Sequence, residues 1–293
     1  MALITRCSRI FVLSVVVACS GSPGPAPAKA KPAAPAGTPI PAAPEQPINK
    51  LEKITKPFSG DLDAIIERGY LRILVAPSRT YFETVDGRHQ GLAVDAGVAL
   101  AARLAEDAKR DITPVFIETR DDQLIPSLLA GKGDVAANLL LTFARDEQVA
   151  FAAPIKKDIR EIVVTDGGAE LVSLEDVGGR TITVRKNSDH HASLIRLNEQ
   201  LAKNNRRPAN IVADEKTKTD EELLDSVNLG RIRATIADDY IYDRWKGDLL
   251  KIAGTNREVA VSQDGVLAWV TRKDAPKLLA LMNEFFSSHK LTF

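Results

Sequence analysis

The sequence predicts an α/β protein built of two small units, each a mostly parallel sheet flanked by helices. Three observations support this fold class. Beyond residue 50, β-rich segments alternate with helix-period segments, and the alternation occurs twice. Apolar residues make up 44% of the 293-residue chain and charged residues 27%, which suffices for a substantial core and excludes global disorder. One continuous α/β sheet is the alternative.

The first unit is predicted to follow a β-α-β-α-β order. Its first strand, Leu71–Val75, is a β-rich run that ends before Pro77. A helix over residues 94–108, a strand over Val115–Ile117, a helix over Gln123–Ala130 and a strand over Asp134–Leu139 follow. Gly131 is typical of a residue that ends a helix.

The second unit repeats this order. Strands are predicted over Arg180–Val184, Ile211–Val212 and Ala234–Ala237, with helices over Asp189–Lys203 and Glu221–Asn228. The segment LLAGKGDVAAN, residues 128–138, also aligns without gaps with VNLGRIRATIA, residues 227–237. In both, a helix ends at glycine, a basic residue follows and a short apolar strand begins. This faint repeat favours two units over one sheet.

Charge and cysteine content exclude several classes of protein. The chain has 39 basic and 39 acidic residues, whereas a generic nucleic-acid binder has a basic excess. Its two cysteines, Cys7 and Cys19, both lie within the first 20 residues. The folded part therefore contains neither a disulfide framework nor a cysteine-based zinc site.

The N-terminal segment predicts export and lipid anchoring. Arg6 and Arg9 precede a short apolar run, which is typical of a secretory signal peptide over residues 1–18 and too short for a membrane anchor. Val16–Ser20 resembles the bacterial lipobox, with Cys19 as the lipidated residue; a chance cysteine after an ordinary signal peptide is the alternative. Residues 19–49 are rich in proline and alanine and are predicted to form an extended tether. Ser20 resembles outer-membrane sorting, so we expect a periplasmic, outer-membrane lipoprotein of a Gram-negative bacterium.

No motif for catalysis or cofactor binding is found in the sequence. It contains no G-x-S-x-G, P-loop, H-E-x-x-H or G-x-G-x-x-G pattern. His190 and His191 point in different directions on a predicted helix, and no third metal ligand is evident nearby. We therefore predict that this chain is not an enzyme and binds neither a cofactor nor a metal ion.

The segment from Ile125 to Pro154 carries the clearest family resemblance. It is similar to the pattern L-x-x-G-x-x-D, apolar strand, T-x-x-R, V-x-F-x-x-P of family 3 solute-binding proteins, the periplasmic amino-acid-binding type. The matching positions are Gly131, Asp134, Thr142, Arg145, Val149, Phe151 and Pro154. The likeness extends in order from about Leu62 to Lys273. It implies a type II periplasmic-binding-protein-like fold, with residues 50–158 and 264–293 in lobe 1 and residues 159–263 in lobe 2.

Within that family, the chain resembles the substrate-binding-like domain of membrane-bound lytic murein transglycosylases. The segments RDDQLIPSLLAGKGD, VRKNSDHHASL and DEELLDSVNLGRIRATIADD carry this likeness. Those enzymes have a catalytic domain with a Glu-Ser pair, a dipeptide that does not occur in this sequence. The chain ends at Phe293, which we expect to be too early for the last helix that closes the fold. It is either a free-standing binding protein or part of a longer chain.

The resemblance implies two functions and a set of partners. The first is a lipid-anchored solute-binding protein that captures an amino acid, small peptide or similar zwitterion between its lobes and serves an ABC permease or a sensor. The second is a regulatory domain in a peptidoglycan-processing system. Either would be tied to the membrane by the lipid and would bind no nucleic acid.

The resemblance also implies which residues contact the ligand. Arg145 and Thr142 correspond to the family's carboxylate-binding positions, and Asp238 to its ammonium-binding aspartate. Ser188 and Asp189 begin a helix whose free amides are suited to an anion, or serve only as caps. Tyr81 and Phe82 are expected to stack on the ligand, unless they belong to the core.

Three positions depart from the family pattern. Ala93 replaces an acidic residue, Leu140 lies where many relatives have Ser or Thr, and Arg233 replaces a common aspartate. We therefore expect a less polar side-chain subsite, which makes a polar amino acid a poorer candidate than a peptide or cell-wall fragment.

Overall fold

The computed structural model describes residues 54, 56–167, 171–217, 219–249, 251–255, 257, 259–289 and 291. The predicted signal peptide, the tether and Cys19 lie outside these residues. The helices are α1 Leu62–Arg68, α2 Leu92–Ala108, α3 Leu124–Leu129, α4 Phe143–Asp146, α5 Asp189–Lys203, α6 Asp220–Asn228, α7 Asp239–Trp245 and α8 Pro276–Ser288.

The strands confirm the predicted α/β alternation and add several elements to it. They are β1 Tyr70–Val75, β2 Glu83–Val85, β3 Arg88–Gln90, β4 Thr113–Glu118, β5 Val135–Leu140, β6 Ala150–Phe151, β7 Lys156–Thr165, β8 Thr181–Arg185, β9 Asn210–Asp214, β10 Ala234–Asp238, β11 Ala253–Gly254 and β12 Ala260–Thr271. Every predicted strand and helix has its counterpart, and α5 has the predicted bounds.

The main sheet is mixed and has eight strands. Its order is β10-β7-β12-β5-β1-β4, with β11 paired to β7 and β6 to β12. The β1–β4 and β1–β5 pairs are parallel, as predicted, and so is the separate β8–β9 pair. The long strands β7 and β12 are antiparallel to each other and join the two halves of the molecule.

Buried apolar side chains form four clusters among the described residues, and the two largest lie one in each half of the molecule. The first core contains Leu71 and Ile73 of β1, Leu100 of α2 and Trp269 of β12, all fully buried. The second core is formed by α5 packed on β8 and β10. Leu194, Leu197 and Leu201 follow helical spacing along α5, so that they share one face. Each half therefore buries its own helix–sheet layer, in agreement with the predicted two-lobed fold.

The C-terminal part of the chain corrects one expectation. A last helix was not expected after Lys273, yet α8 begins at Pro276 and continues to Ser288. Its residues Leu278, Met282, Phe285 and Phe286 are buried in the first core. Proline at the first helical position and apolar residues at helical spacing are the local reasons for this helix.

Gly91 fixes the start of α2 close to the segment that follows β1. Its φ is 118°, and a Cβ at this position would lie 2.4 Å from the carbonyl oxygen of Tyr81. Only glycine allows this approach. Leu92 and Ala93 then donate backbone hydrogen bonds to Thr80 and Tyr81, which holds the Tyr81 segment against the helix.

In the part of the chain that the structure describes, no helix combines the length and apolarity needed to span a bilayer.

Candidate functional site

A cleft of about 400 Å³ lies where the strands of both halves end. Residues after β1, the end of β5 and the start of α4 line one side. The start of α5, the start of α6 and the end of β10 line the other. The carboxyl ends of β1, β5 and β8 therefore face one space, which is where α/β proteins bind ligands.

Arg145 and Asp189 form an ion pair across this cleft. The Nη1 atom of Arg145 lies 3.1 Å from Oδ2 of Asp189, and Nη2 lies 3.0 Å from Oδ1. Nη1 also donates to the carbonyl oxygen of Leu140 at 2.8 Å. The guanidinium thus holds a carboxylate in the two-pronged geometry suited to a ligand, but the carboxylate belongs to the chain itself.

Two hydroxyl groups cap the helices that carry this pair. Thr142 Oγ1 accepts a hydrogen bond from the Arg145 amide at 3.3 Å, and Ser188 Oγ accepts one from the His191 amide at 3.2 Å. Ser188 Oγ also donates to the Arg185 carbonyl oxygen at 2.8 Å. Ser188 lines the cleft, whereas Thr142 is not among its lining residues and supports Arg145 through the backbone.

Arg185, at the end of β8, ties together three elements beneath the cleft. It donates to both oxygens of Asp220, at 2.8 and 3.0 Å, and pairs with Asp121. Burial alone would raise the pKa of Asp220, but Arg185 and His190 outweigh it and hold that pKa far below its usual range. Asp220 is therefore expected to be ionised near neutral pH.

His190 is buried between carboxylates. Only 7% of the residue is exposed; Nε2 lies 3.2 Å from Asp238 Oδ1, and Nδ1 lies 3.6 Å from Asp220 Oδ1. Burial by itself would lower the pKa of His190, but the neighbouring carboxylates, Asp220 first, raise it well above its ordinary value. His190 is therefore expected to be charged near neutral pH. It pairs with Asp238, the carboxylate predicted to hold a ligand ammonium.

Glu161 completes this cluster. It lies on β7 directly opposite Asp238 of β10, and ligand atoms of Glu161, His190 and Asp238 all lie within 4.8 Å of one another. No third ligand near His190 was evident from the sequence, because Glu161 is 29 positions away and reaches it only through strand pairing. Burial raises the pKa of Glu161, and the charge of His190 partly offsets this.

Tyr81 and Phe82 have different surroundings. Tyr81 lines the cleft, where its hydroxyl and that of Tyr240 share a short hydrogen bond. Burial raises the pKa of both phenols. Phe82 is 2% exposed and lies in the first core, with its ring centroid 6.1 Å from that of Phe116. The structure thus assigns Phe82 to the core alternative, not to ligand contact.

Six of the predicted contact residues line the cleft, and two do not. Arg145, Leu140, Ser188, Asp189, Asp238 and Tyr81 line it; Thr142 and Phe82 do not. Of the three departures from the family pattern, Leu140 alone faces the cleft. Ala93 is in the first core, and Arg233 is exposed and pairs with Asp166 at 2.7 Å. The expected less polar subsite does not follow, because several charged residues line the same space.

Most of these charged residues were not predicted from the sequence. Asp121, Glu161, Arg185, Asp220 and Glu221 all line the cleft. Asp121 follows β4, and Asp220 and Glu221 begin α6 after β9, so the rule that ligands bind beyond the carboxyl ends of strands would have found them. No local pattern marks Glu161, since its position depends on the pairing of β7 with β10.

Glu221 makes a second link across the cleft. Its Oε1 atom accepts hydrogen bonds from Ser78 Oγ at 2.7 Å and from Thr80 Oγ1 at 2.8 Å. Trp245 Nε1 donates to the same Thr80 hydroxyl at 3.0 Å. Together with the Arg145–Asp189 pair, these contacts join the two sides of the cleft in this structure.

Comparison with known sequences identifies relatives over most of the folded part. Residues 71–292 match the bacterial extracellular solute-binding proteins, family 3. Membrane-bound lytic murein transglycosylase F of Maricaulis maris is 30% identical over 186 residues, which are 62% of this chain and 38% of that protein. Its Pseudomonas fluorescens counterpart is 30% identical over 183 residues, 60% of this chain and 35% of that protein. The chain therefore spans well under half the length of these curated relatives.

Two proteins described as binding arginine or amino acids have solved structures with a similar fold. The arginine-bound Gly52Ala mutant of ArgBP from T. maritima has a TM-score of 0.61 and 21% identity, covering 77% of this chain and 98% of that one. The ancestral amino acid-binding protein AncCDT-1, a precursor of cyclohexadienyl dehydratase, has a TM-score of 0.61 and 23% identity, covering 77% and 92%. At this identity, the likeness establishes the shared fold.

Proposed function

The chain belongs to the bacterial extracellular solute-binding proteins, family 3, and we propose that it captures an amino acid, small peptide or similar zwitterion in its cleft. One observation carries the proposal. Arg145 and Asp238 line the same space of about 400 Å³ from opposite sides. A guanidinium and a carboxylate facing one cleft match the carboxylate and ammonium of a zwitterion. The volume is in the usual range for small-ligand pockets.

Binding in this mode requires the internal ion pair to open. A ligand carboxylate takes the position of Asp189 on Arg145, and the free amides at the start of α5 beside Ser188 add hydrogen bonds to it. The ligand ammonium approaches Asp238, which keeps His190 as a second partner. Each charged group of the ligand thus exchanges water for a partner of opposite sign.

We further propose that lipid on Cys19 anchors the protein in the periplasm, at the outer membrane, and that the tether over residues 19–49 lets the folded part reach a permease or sensor. The lipobox-like segment before Cys19 and the composition of the tether support this. The family's description as extracellular agrees with export.

Calorimetry with residues 50–293 against a panel of amino acids and muropeptides tests the proposed binding function. Arg145→Ala and Asp238→Ala are each expected to weaken binding of the ligand found by about 2–5 kcal/mol, because removal of one partner leaves a poorly compensated charge. Asp243→Ala is the control, since Asp243 lies outside the cleft and pairs with Lys246 at 2.8 Å. Melting curves separate lost binding from lost folding.

An Arg145→Ala variant that binds within about threefold of wild type, a difference of about 0.7 kcal/mol, would show that the arginine has another role. Binding by no member of the panel would refute the proposed function itself.

The relatives favour a second candidate function. Lytic murein transglycosylases match about 60% of this chain, which supports a regulatory role in peptidoglycan turnover. An in-frame catalytic domain encoded after Phe293 would support this candidate, whereas neighbouring permease genes would support transport. If the regulatory candidate is right, muropeptides should bind more tightly than free amino acids. Residues 50–293 should release no anhydro-muropeptides.

A further inference from the structure

Glu161 is a buried carboxylate with unused hydrogen-bonding capacity in the wall of the cleft. The residue is 4% exposed, and its Oε2 atom has no hydrogen-bond partner among the described residues. Buried polar atoms in native proteins are seldom left unpaired, because the loss of hydration is not compensated. An unpaired acceptor that lines a ligand cleft therefore points to a donor supplied by the ligand.

The charges that surround Glu161 favour a cation. Seven carboxylates line the cleft, against two guanidinium groups and one imidazole. Both guanidinium groups are already paired, Arg145 with Asp189 and Arg185 with Asp121 and Asp220. With His190 protonated and all seven carboxylates ionised, the excess is four negative charges; burial raises the pKa of Glu161 and of Asp121, so a nearby cation would also favour their ionised forms. A neutral zwitterion brings no net charge to offset this excess.

His190 does not supply the cation that Glu161 lacks. Its two ring nitrogens face Asp238 and Asp220, at 3.2 and 3.6 Å, so its hydrogens are directed to those carboxylates. The connected groups Asp121, Glu161, Arg185, His190, Asp220 and Asp238 carry four negative and two positive charges. A further cation beside Glu161 is therefore attracted by the cluster as a whole.

We propose that Glu161 is the subsite for a second cationic group of the ligand, so that the cleft selects amino acids or peptides with an ammonium or guanidinium side chain over neutral ones. The inference rests on the proposed function, because it assigns a ligand class to the same cleft. A divalent metal ion would be attracted by the same groups, since donor atoms of Glu161, His190 and Asp238 lie within 4.8 Å of one another. An organic cation is favoured because the cleft, at about 400 Å³, is far larger than an ion.

Pairs of ligands with the same shape but different charge test the proposal on the wild-type protein. Lysine is compared with norleucine, and arginine with citrulline, by calorimetry in chelator-treated buffer. We expect the cationic member of each pair to bind at least about tenfold more tightly. The variant Glu161→Gln keeps the size of the side chain, and we expect it to reduce this preference to within about threefold.

Glu199→Gln is the matched control. It removes the same charge from an exposed position on α5 outside the cleft, and the preference should remain. Equal binding of lysine and norleucine by wild type, or an undiminished preference in Glu161→Gln, overturns the proposal. If neutral amino acids or muropeptides bind without any preference for cations, the proposed function stands and this inference fails. If no probe binds wild type, both fail.

A zinc titration separates the two kinds of cation. Stoichiometric Zn²⁺ binding that is lost in Glu161→Gln and in His190→Ala, combined with no preference for lysine or arginine, would make this a metal site and overturn the organic-cation assignment. Absence of Zn²⁺ binding together with the expected lysine preference supports it.

Discussion

At the scale of the residue, Asp189 has the most direct consequence for binding. Its carboxylate occupies both terminal nitrogens of Arg145, the residue proposed to hold the ligand carboxylate. A ligand therefore competes with a group that is covalently part of the protein. The apparent affinity is the intrinsic affinity multiplied by the fraction of molecules in which the Arg145–Asp189 pair is open.

Replacing Asp189 with asparagine tests this competition. Asp189→Asn removes the charge and leaves the Ser188 cap unchanged, so we expect carboxylate-bearing ligands to bind about tenfold more tightly. Calorimetry with the best ligand of the panel measures the change, with Asp243→Asn outside the cleft as control. A tenfold loss of affinity instead would mean that Asp189 contacts the ligand itself.

Among the secondary-structure elements, β1 and β5 are held together by one position of the family pattern. Asp134, in the G-x-x-D part of the family pattern, is fully buried before β5. It accepts hydrogen bonds from the Arg72 amide at 2.7 Å and from Arg72 Nη2 at 2.9 Å, and it also pairs with Arg68. This carboxylate therefore fastens β1 to the start of β5 and positions the strand ends that line the cleft.

Loss of this carboxylate should destabilise the fold. Asp134→Ala leaves the buried guanidinium of Arg72 without its charge partner, and we expect the free energy of unfolding to fall by about 3–5 kcal/mol. Urea denaturation followed by circular dichroism measures the change. Asp111→Ala, at an exposed position, should alter stability by less than about 0.5 kcal/mol. Equal stability of the two variants would contradict this role.

We expect the His190 cluster to make the contact between α5, α6 and β10 dependent on pH. Since the folded-state pKa of His190 is raised above the ordinary 6.5, its charge contributes stability that is complete below about pH 6.5. The contribution is lost as the pH rises through the folded-state pKa, because the cation that faces Asp220, Asp238 and Glu161 is then discharged.

Stability measurements between pH 6 and pH 9 test this dependence. The difference in unfolding free energy between wild type and His190→Gln should shrink as the pH rises, by at most about 1.4 kcal/mol per pH unit. His191→Gln, at the neighbouring half-exposed position, should show no such trend. A difference that is constant across this range would mean that His190 is neutral in the folded protein.

Two kinds of contact connect the halves of the molecule, namely a pair of long strands and a set of polar contacts across the cleft. The antiparallel strands β7 and β12, of 10 and 12 residues, connect both cores. The Arg145–Asp189 pair and the hydrogen bonds of Glu221 join the sides of the cleft through groups that a ligand can replace. The strands thus keep the halves together when the polar contacts are exchanged.

The proposed anchor is tested on the full chain in a bacterial host. Cys19→Ala should abolish incorporation of labelled palmitate and release the protein from the membrane fraction, because one short apolar segment does not otherwise hold it there. Cys7→Ala, within the predicted signal peptide, is the matched control and should remain labelled. Membrane association that is unchanged in Cys19→Ala would contradict lipid anchoring.

Local patterns in the sequence determined the class of the fold and most of its elements. Helical spacing of apolar residues is a property of a segment by itself, so α5 was predicted with the bounds that the structure has. The ends of β5, β8 and β10 were predicted to within one residue from their short apolar, β-rich runs. The family resemblance pointed to Leu140, Ser188 and Asp238, which line the cleft at these ends. Helix α8 has equally clear local patterns, but the resemblance gave no reason to expect it.

Tertiary structure decided how those residues are paired. Arg145 and Asp189 are 44 positions apart, and only the packing of the two halves brings them together. Phe82 and Tyr81 are neighbours in sequence, but the former points into the first core and the latter lines the cleft. Glu161 reaches Asp238 and His190 because β7 pairs with β10 in one particular register. A register between distant strands is fixed by all the side chains that the pairing buries, so no short segment of the sequence reveals it.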